Sequence, residues 1–238
     1  MSTAELTLYT AKVCPFAQRV EIAFAEAGSN VAKYQIDLKN KPEWYAPKVN
    51  PASKVPAIAY GGPKVDPADP SPESTKIAES LVLLEFVADL YPSAALLPAD
   101  PVQRAQVRFF IDAVSTKFLP SYFALALRGE SPEKVYAALA DVQALLSPAG
   151  FAVGDKYTIA DAAIAPFLGR ADIMLKRDLG RYEPGVGAGA YKEIFETPKF
   201  ARLQKYYADV SARPSWKATF DEDYLVDYTK RVTFGGQK

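Results

Sequence analysis

Cys14 is the only cysteine in the 238 residues, and the types and spacing of its neighbours decide what a lone thiol can do. It stands in Ala11-Lys12-Val13-Cys14-Pro15-Phe16-Ala17-Gln18-Arg19-Val20. Upstream, Leu6-Thr7-Leu8-Tyr9 reads as a short strand. Downstream, Phe16, Val20, Ala23, Phe24 and Ala27 fall on one face of a helix. Pro15 suits the first helical position and Gly28 the residue just past the end. Cys14 is thereby placed at about the N-cap, facing the orphan N–H groups and the positive end of the helix dipole. That environment lowers a thiol's pKa and keeps it a nucleophilic thiolate. A single cysteine is also explained as a small buried hydrophobe; the strand, Cys-Pro, helix order is what points to reactivity instead. Position 17 is Ala, so the two-cysteine redox motif is absent and a redox cycle must take its second sulfur from a ligand. The chain has no histidine. Ser-His-Asp and Cys-His catalysis are excluded within it, no metal site is expected, and activation of Cys14 falls to backbone amides, the helix dipole or Lys12.

Two further corners carry suggestive chemistry. Val55-Pro56 opens the strand Lys54–Tyr60, where a proline is an edge device or a cis bond. Glu79-Ser80 precedes a helix bearing Leu83, Leu84, Val87, Leu90 and Tyr91 on one face, with Ser80 as its expected N-cap. Thr158-Ile159-Ala160-Asp161 has the capping-box pattern, and capping alone accounts for Asp161. Gly185-Val186-Gly187-Ala188-Gly189 has neither the preceding strand nor the spacing of a phosphate loop. It reads as a flexible loop within a surface connection over 176–197.

The elements that must position these residues follow from the rest of the chain. Tyr34–Leu38 reads as a second strand, so β-α-β suggests a parallel crossover. Pro42 sits near the start of a short helix, and Thr75–Ala78 is a brief last strand. Residues 61–73 hold four prolines and two glycines and read as an ordered turn or flexible insertion. Strand signals fade after 101. Val102–Arg128 reads as a long amphipathic helix bent at Pro120, Ser131-Pro132-Glu133 starts another to about Leu146, and Thr197-Pro198-Lys199 starts one to about Ala212. An aromatic tail with Phe220, Tyr224, Tyr228 and Phe234 follows. Lys plus Arg and Asp plus Glu both number 28, which argues against binding to nucleic acid or an anionic membrane through bulk charge. The N-terminal stretch lacks a secretory pattern, no apolar run is long enough to span a bilayer, and Gly235-Gly236-Gln237-Lys238 matches no address or lipidation signal. One cysteine fits a reducing compartment, so a cytoplasmic protein is expected.

Taken in order, Cys14-Pro15-Phe16-Ala17-Gln18-Arg19, Leu38–Trp44, Val55-Pro56, Glu79-Ser80 and Thr158-x-x-Asp161 resemble the glutathione transferase superfamily, specifically its omega class and the omega-like enzymes of fungi. The plant lambda class and dehydroascorbate reductases have a similar Cys-Pro-Phe start. The resemblance spans nearly the whole chain. It implies an α/β thioredoxin-like N-terminal domain over 1–92, a linker over 93–101, and an all-α C-terminal domain over 102–238 that contributes a hydrophobic second-substrate site. It implies a homodimer, and glutathione as cosubstrate with no metal. It also implies roles: Cys14 as the catalytic nucleophile, Phe16 walling the sulfur, and Lys41 reaching the glycyl carboxylate. Val55, held by a cis Pro56, pairs with the cysteinyl backbone, Glu79 meets the ligand's ammonium, and Ser80 takes the γ-glutamyl carboxylate. Tyr9 stands near where tyrosine-type relatives activate glutathione, and Cys14 is expected to displace it. The implied activity is glutathione-dependent thiol transfer, deglutathionylation and dehydroascorbate reduction through a Cys14–glutathione mixed disulfide. The alternative is a ligandin-type protein sequestering hydrophobic or polyphenolic molecules.

Overall fold

In the computed structural model, residues 4–234 are described, the side chains of 233 and 234 excepted; the C-terminal Gly235–Lys238 read above lies outside them. Two compact units are present, Met1–Leu96 and Leu97–Lys238. The first carries β1 (Leu6–Thr10), α1 (Pro15–Glu26), β2 (Ala32–Gln35), α2 (Tyr45–Lys48), β3 (Ala57–Tyr60), β4 (Thr75–Ala78) and α3 (Ser80–Leu90). The sheet order is β2-β1-β3-β4, with β1 parallel to β2 and the other two pairings antiparallel. This is the thioredoxin-like arrangement.

Alternation along the strands sorts the core. Tyr9 pairs with Ala57 and Leu8 with Ile58, so these pairs point to opposite faces. Tyr9, Ala57 and Ala59 join Tyr45 and Val49 in one buried cluster, against which Cys14 and Trp44 pack. Leu8 and Ile58 bury themselves on the other face, with α1 and α3 packed together. β2 begins and ends earlier than the apolar run suggested. Its register with β1 is set by Thr7↔Ala32 through Thr10↔Gln35, and the Ile36 N–H still bonds to the Thr10 carbonyl. α2 starts at Tyr45, after a turn in which the Tyr45 N–H reaches the Pro42 carbonyl. The proline-rich 61–73 stretch is an ordered turn: Tyr9 Oη donates to the Pro67 carbonyl (2.8 Å) and Lys76 Nζ to the Ser71 carbonyl (2.7 Å).

The second unit is helical: α4 (Pro101–Ala113), α5 (Leu119–Arg128), α6 (Glu133–Leu145), α7 (Ile159–Lys176), α8 (Val186–Phe195), α9 (Ala201–Ser211), α10 (Pro214–Thr219) and α11 (Glu222–Phe234). The predicted bend at Pro120 takes the form of a π-helical turn over Val114–Phe118, joining α4 to α5. A proline cannot donate to the preceding turn, and a widened turn makes room for its ring. The Thr158 box forms as expected and opens α7. The aromatic tail after Arg213 folds into α10 and α11, with Trp216 stacked on Phe220 at 4.2 Å.

The flexible loop expected at 185–189, within a surface connection over 176–197, is instead the first half of α8. Asp178 supplies the reason: its carboxylate accepts from the Gly185 and Gly187 N–H groups (2.7 and 2.8 Å), capping the helix start. A Cβ at Gly187 would lie 2.4 Å from Tyr182 Oη and 2.5 Å from Asp178 Oδ1, so glycine is what fits there. Gly187, Ala190 and Ile194 form the buried face, and α8 packs on α7.

Candidate functional site

Cys14 occupies the N-cap of α1 in extended conformation (φ −82°, ψ 117°), with Pro15 next in the first turn. Its side chain makes no capping hydrogen bond, which leaves the first-turn N–H dipoles directed at its surroundings. The thiol is half-buried, and Sγ lies 3.8 Å from the Val55 carbonyl oxygen. The Val55–Pro56 peptide is cis.

Beside this corner, Phe16, Asn50, Lys54, Val55, Pro56, Glu79 and Ser80 line a cavity of about 250 Å³. Five of these were singled out from the sequence: Phe16, Val55, Pro56, Glu79 and Ser80. Cys14 touches the cavity's wall through Val55 and does not line it. Lys41 does not line it either; its Nζ donates to the Ser53 carbonyl (2.6 Å), buttressing the 50–54 turn. Two lining residues carried no functional signal in the sequence. Asn50 Nδ2 donates to the Lys54 carbonyl (2.8 Å), which also accepts from Tyr45 Oη (2.7 Å), and this turn presents Lys54 at the rim. Only the fold of that turn brings them there.

Ser80 is not the N-cap. Glu79 takes that position at φ +71°, and Ser80 is the first helical residue. A non-glycine residue in this region is strained, and such strain is held where the surrounding structure needs a side chain aimed in one direction. The Ser80 hydroxyl has another partner: it accepts from Arg19 Nη1 at 3.1 Å. Arg19 is 2% exposed, and its guanidinium lies 5.2 Å from the centroid of the Phe16 ring. Burial pulls it down to about 10, while the field of Cys14 pulls the other way. The sequence held a signal for this residue: Arg19 is three residues after Phe16 and four before Ala23, on the helix's apolar face, where a charge needs a reason.

Tyr9 is fully buried and spent on Pro67. Burial, then Tyr34 and Asp66, push its phenol up to about 12, which disfavours a phenolate. Lys12 is exposed and Arg19 is buried. Around the cavity stand the start of α3, the exposed Glu79 and the exposed Lys54, with the Cys14 thiol behind Val55. Residues of both charges beside a thiol suit a small zwitterion.

The glutathione S-transferase N-terminal domain model matches residues 8–95, and the C-terminal domain model matches 126–218. The chain is 57% identical to glutathione transferase Omega 1C from Trametes versicolor over 97% of each chain, with a TM-score of 0.94. It is 43% identical to glutathione transferase Omega 2S from the same species, solved in complex with 2,4-dihydroxybenzophenone; that match covers 96% of this chain and 99% of that one, with a TM-score of 0.91. Glutathione S-transferase L1 of Arabidopsis thaliana is 29% identical, covering 94% of this chain and 86% of its own.

Proposed function

This chain belongs to the omega class of the glutathione transferase superfamily, and we propose that within it the protein is a thiol transferase working through a Cys14–glutathione mixed disulfide. The observation that carries this reading is the place of Cys14: at a helix N-terminus, beside a cavity with groups for both ends of a zwitterionic tripeptide. The Cys14 thiolate attacks the glutathione sulfur of a glutathionylated substrate, R–S–S–G. The Cys14–S–S–G bond forms, and R–S⁻ leaves and takes a proton. A second glutathione, as its thiolate, attacks the glutathione sulfur of the mixed disulfide. Oxidised glutathione departs and the Cys14 thiolate is restored. The balance is R–S–S–G plus glutathione giving R–SH plus oxidised glutathione. Dehydroascorbate reduction draws on the same enzyme–glutathione intermediate, with two glutathiones supplying the two electrons.

The chain's own residues divide the binding. The Val55 backbone meets the cysteinyl part of the ligand, and Glu79 its ammonium. The start of α3 at Ser80 takes the γ-glutamyl carboxylate on its N–H groups. Phe16 covers the sulfur. Lys54 at the rim, with Lys41 behind the same turn, attracts the glycyl carboxylate. Such chemistry needs the glutathione pool of a reducing compartment, which fits the cytoplasm; among the described residues no helix is long and apolar enough to cross a membrane. The direct test is whether Cys14 takes up one glutathionyl group from oxidised glutathione.

A second reading, ligand binding, is favoured by the aromatic cluster of the helical unit, where Tyr122, Phe123 and Phe167 have ring centroids 5.3 to 6.5 Å apart. A relative 43% identical was solved with 2,4-dihydroxybenzophenone. Micromolar binding of that compound with negligible thiol transfer would favour sequestration over catalysis.

We also propose that the protein is a homodimer. Val102 and Phe109, seven residues apart on one face of α4, are each 63% exposed. These are large apolar side chains to leave in water. Phe109→Glu is expected to give a monomer by light scattering at micromolar concentration; a wild-type protein already monomeric there contradicts the proposal.

A further inference from the structure

Among the described residues, two charged side chains are fully buried, Arg19 and Asp161. Asp161 is explained by its capping box. Arg19 has no such local reason. It lies in the first half of α1, where the helix dipole already disfavours a cation, and it has given up nearly all of its water. Long helical side chains lean toward the N-terminus of their own helix. Arg19 accordingly leans back over the ring of Phe16, which stands two residues from Cys14 in the first turn of α1, and donates to Ser80 Oγ at the start of α3. A planar guanidinium with five N–H donors can hold a hydroxyl on one edge while presenting positive charge in another direction; an ammonium cannot fix both.

We propose that Arg19 is the positioning residue of this reaction: its buried guanidinium supplies the fixed positive charge that holds Cys14 Sγ ionised, and the same group anchors Ser80 at the start of α3. This deepens the thiol-transferase reading and rests on Cys14 being its nucleophile. The Tyr45 phenol of α2, within the electrostatic reach of Cys14, and the Val55 carbonyl also face it. A carbonyl accepts from a neutral thiol and opposes ionisation, so the Arg19 charge works against it. Exposed Lys12 is the competing source of positive charge.

The test is the rate of Cys14 alkylation by iodoacetamide from pH 4 to 9, in wild type, Arg19→Gln and Arg19→Lys, with circular dichroism as the check of fold. A wild-type midpoint well below the ordinary value of about 8.5 is expected. Arg19→Gln should raise it by about one unit or more, slowing alkylation about tenfold below the midpoint. Arg19→Lys keeps the charge, so its midpoint should stay nearer to wild type, while its KM for glutathione rises several-fold as Ser80 loses its anchor. A folded Arg19→Gln protein with the wild-type midpoint overturns the role of Arg19 and leaves the cysteine reading standing. A wild-type midpoint near 8.5 overturns both. Should Arg19→Gln fail to fold, salt decides on wild type alone. A buried charge is screened little, so the midpoint should move by less than about 0.3 unit between 0.05 and 1 M KCl. A rise toward 8.5 in high salt assigns the effect to exposed charge such as Lys12 and overturns the proposal.

Discussion

Cys14→Ser will lose glutathione-dependent thiol transfer by about a thousandfold or more while keeping its fold and its affinity for glutathione to within a few-fold. The two halves of this outcome come from different atoms. Turnover needs a sulfur that can form and break a disulfide, and a hydroxyl can do neither. On the proposed reading, binding rests on the Val55 backbone, Glu79 and the start of α3; of these the substitution alters only the 3.8 Å contact between the residue 14 side chain and the Val55 carbonyl, which a hydroxyl can keep. The fold is expected to gain slightly. Cys14 occupies an N-cap without making a capping bond, and serine is among the favoured residues at that position. A Cys14→Ser protein that unfolds somewhat later than wild type, by up to about 1 kcal/mol, and turns over nothing would show that this position gives up helix stability for chemistry. Turnover at a tenth of the wild-type rate or above would mean that another group carries the reaction.

Asp161→Ala is expected to cost about 3 kcal/mol of stability at pH 7. The buried Asp161 carboxylate accepts four hydrogen bonds: from the Ala152 N–H (2.8 Å), the Thr158 N–H (2.7 Å), Thr158 Oγ1 (3.1 Å) and Tyr206 Oη (2.9 Å). Alanine leaves the Ala152 and Thr158 amides and the Tyr206 hydroxyl buried without their acceptor. The pH dependence carries a definite sign. Burial pushes Asp161 up to about 6, against the pull of its four donors. Between the unfolded value near 4 and this folded value, the native state holds a proton that the unfolded chain has released. Stability from this group therefore rises as pH falls through 6. The wild-type advantage over Asp161→Ala should widen between pH 7 and pH 5 in urea titrations, where the other carboxylates cancel in the difference. A gap that narrows over that range would show a carboxylate held below its ordinary value instead.

How much of this was legible in the sequence depends on whether local or distant partners fix each residue. Cys14 at an N-cap was readable because Pro15 and the apolar spacing of α1 are local signals. Thr158 and Asp161 were readable for the same reason, since a capping box is complete within four residues; Tyr206, 45 residues away, was not. The start of α8 was misread because three glycines in five residues weaken any helical pattern, and what fixes the helix is the Asp178 carboxylate upstream. Ser80 was misplaced by one position because a serine before an apolar run looks like a cap. Its hydroxyl is instead spent on Arg19, 61 residues earlier. Asn50 and Lys54 enter the cavity through the conformation of one turn, which no periodicity records.

Covalent capture is the most direct experiment. Wild-type protein, freed of reductant, is incubated with oxidised glutathione, and its intact mass and proteolytic peptides are measured. One glutathionyl group on the Cys14 peptide, removed by added glutathione, is the outcome required of a mixed-disulfide enzyme. A protein that stays unmodified under conditions where free cysteine exchanges readily would contradict it, and glutathione would then be a ligand of this cavity without being a partner in its chemistry.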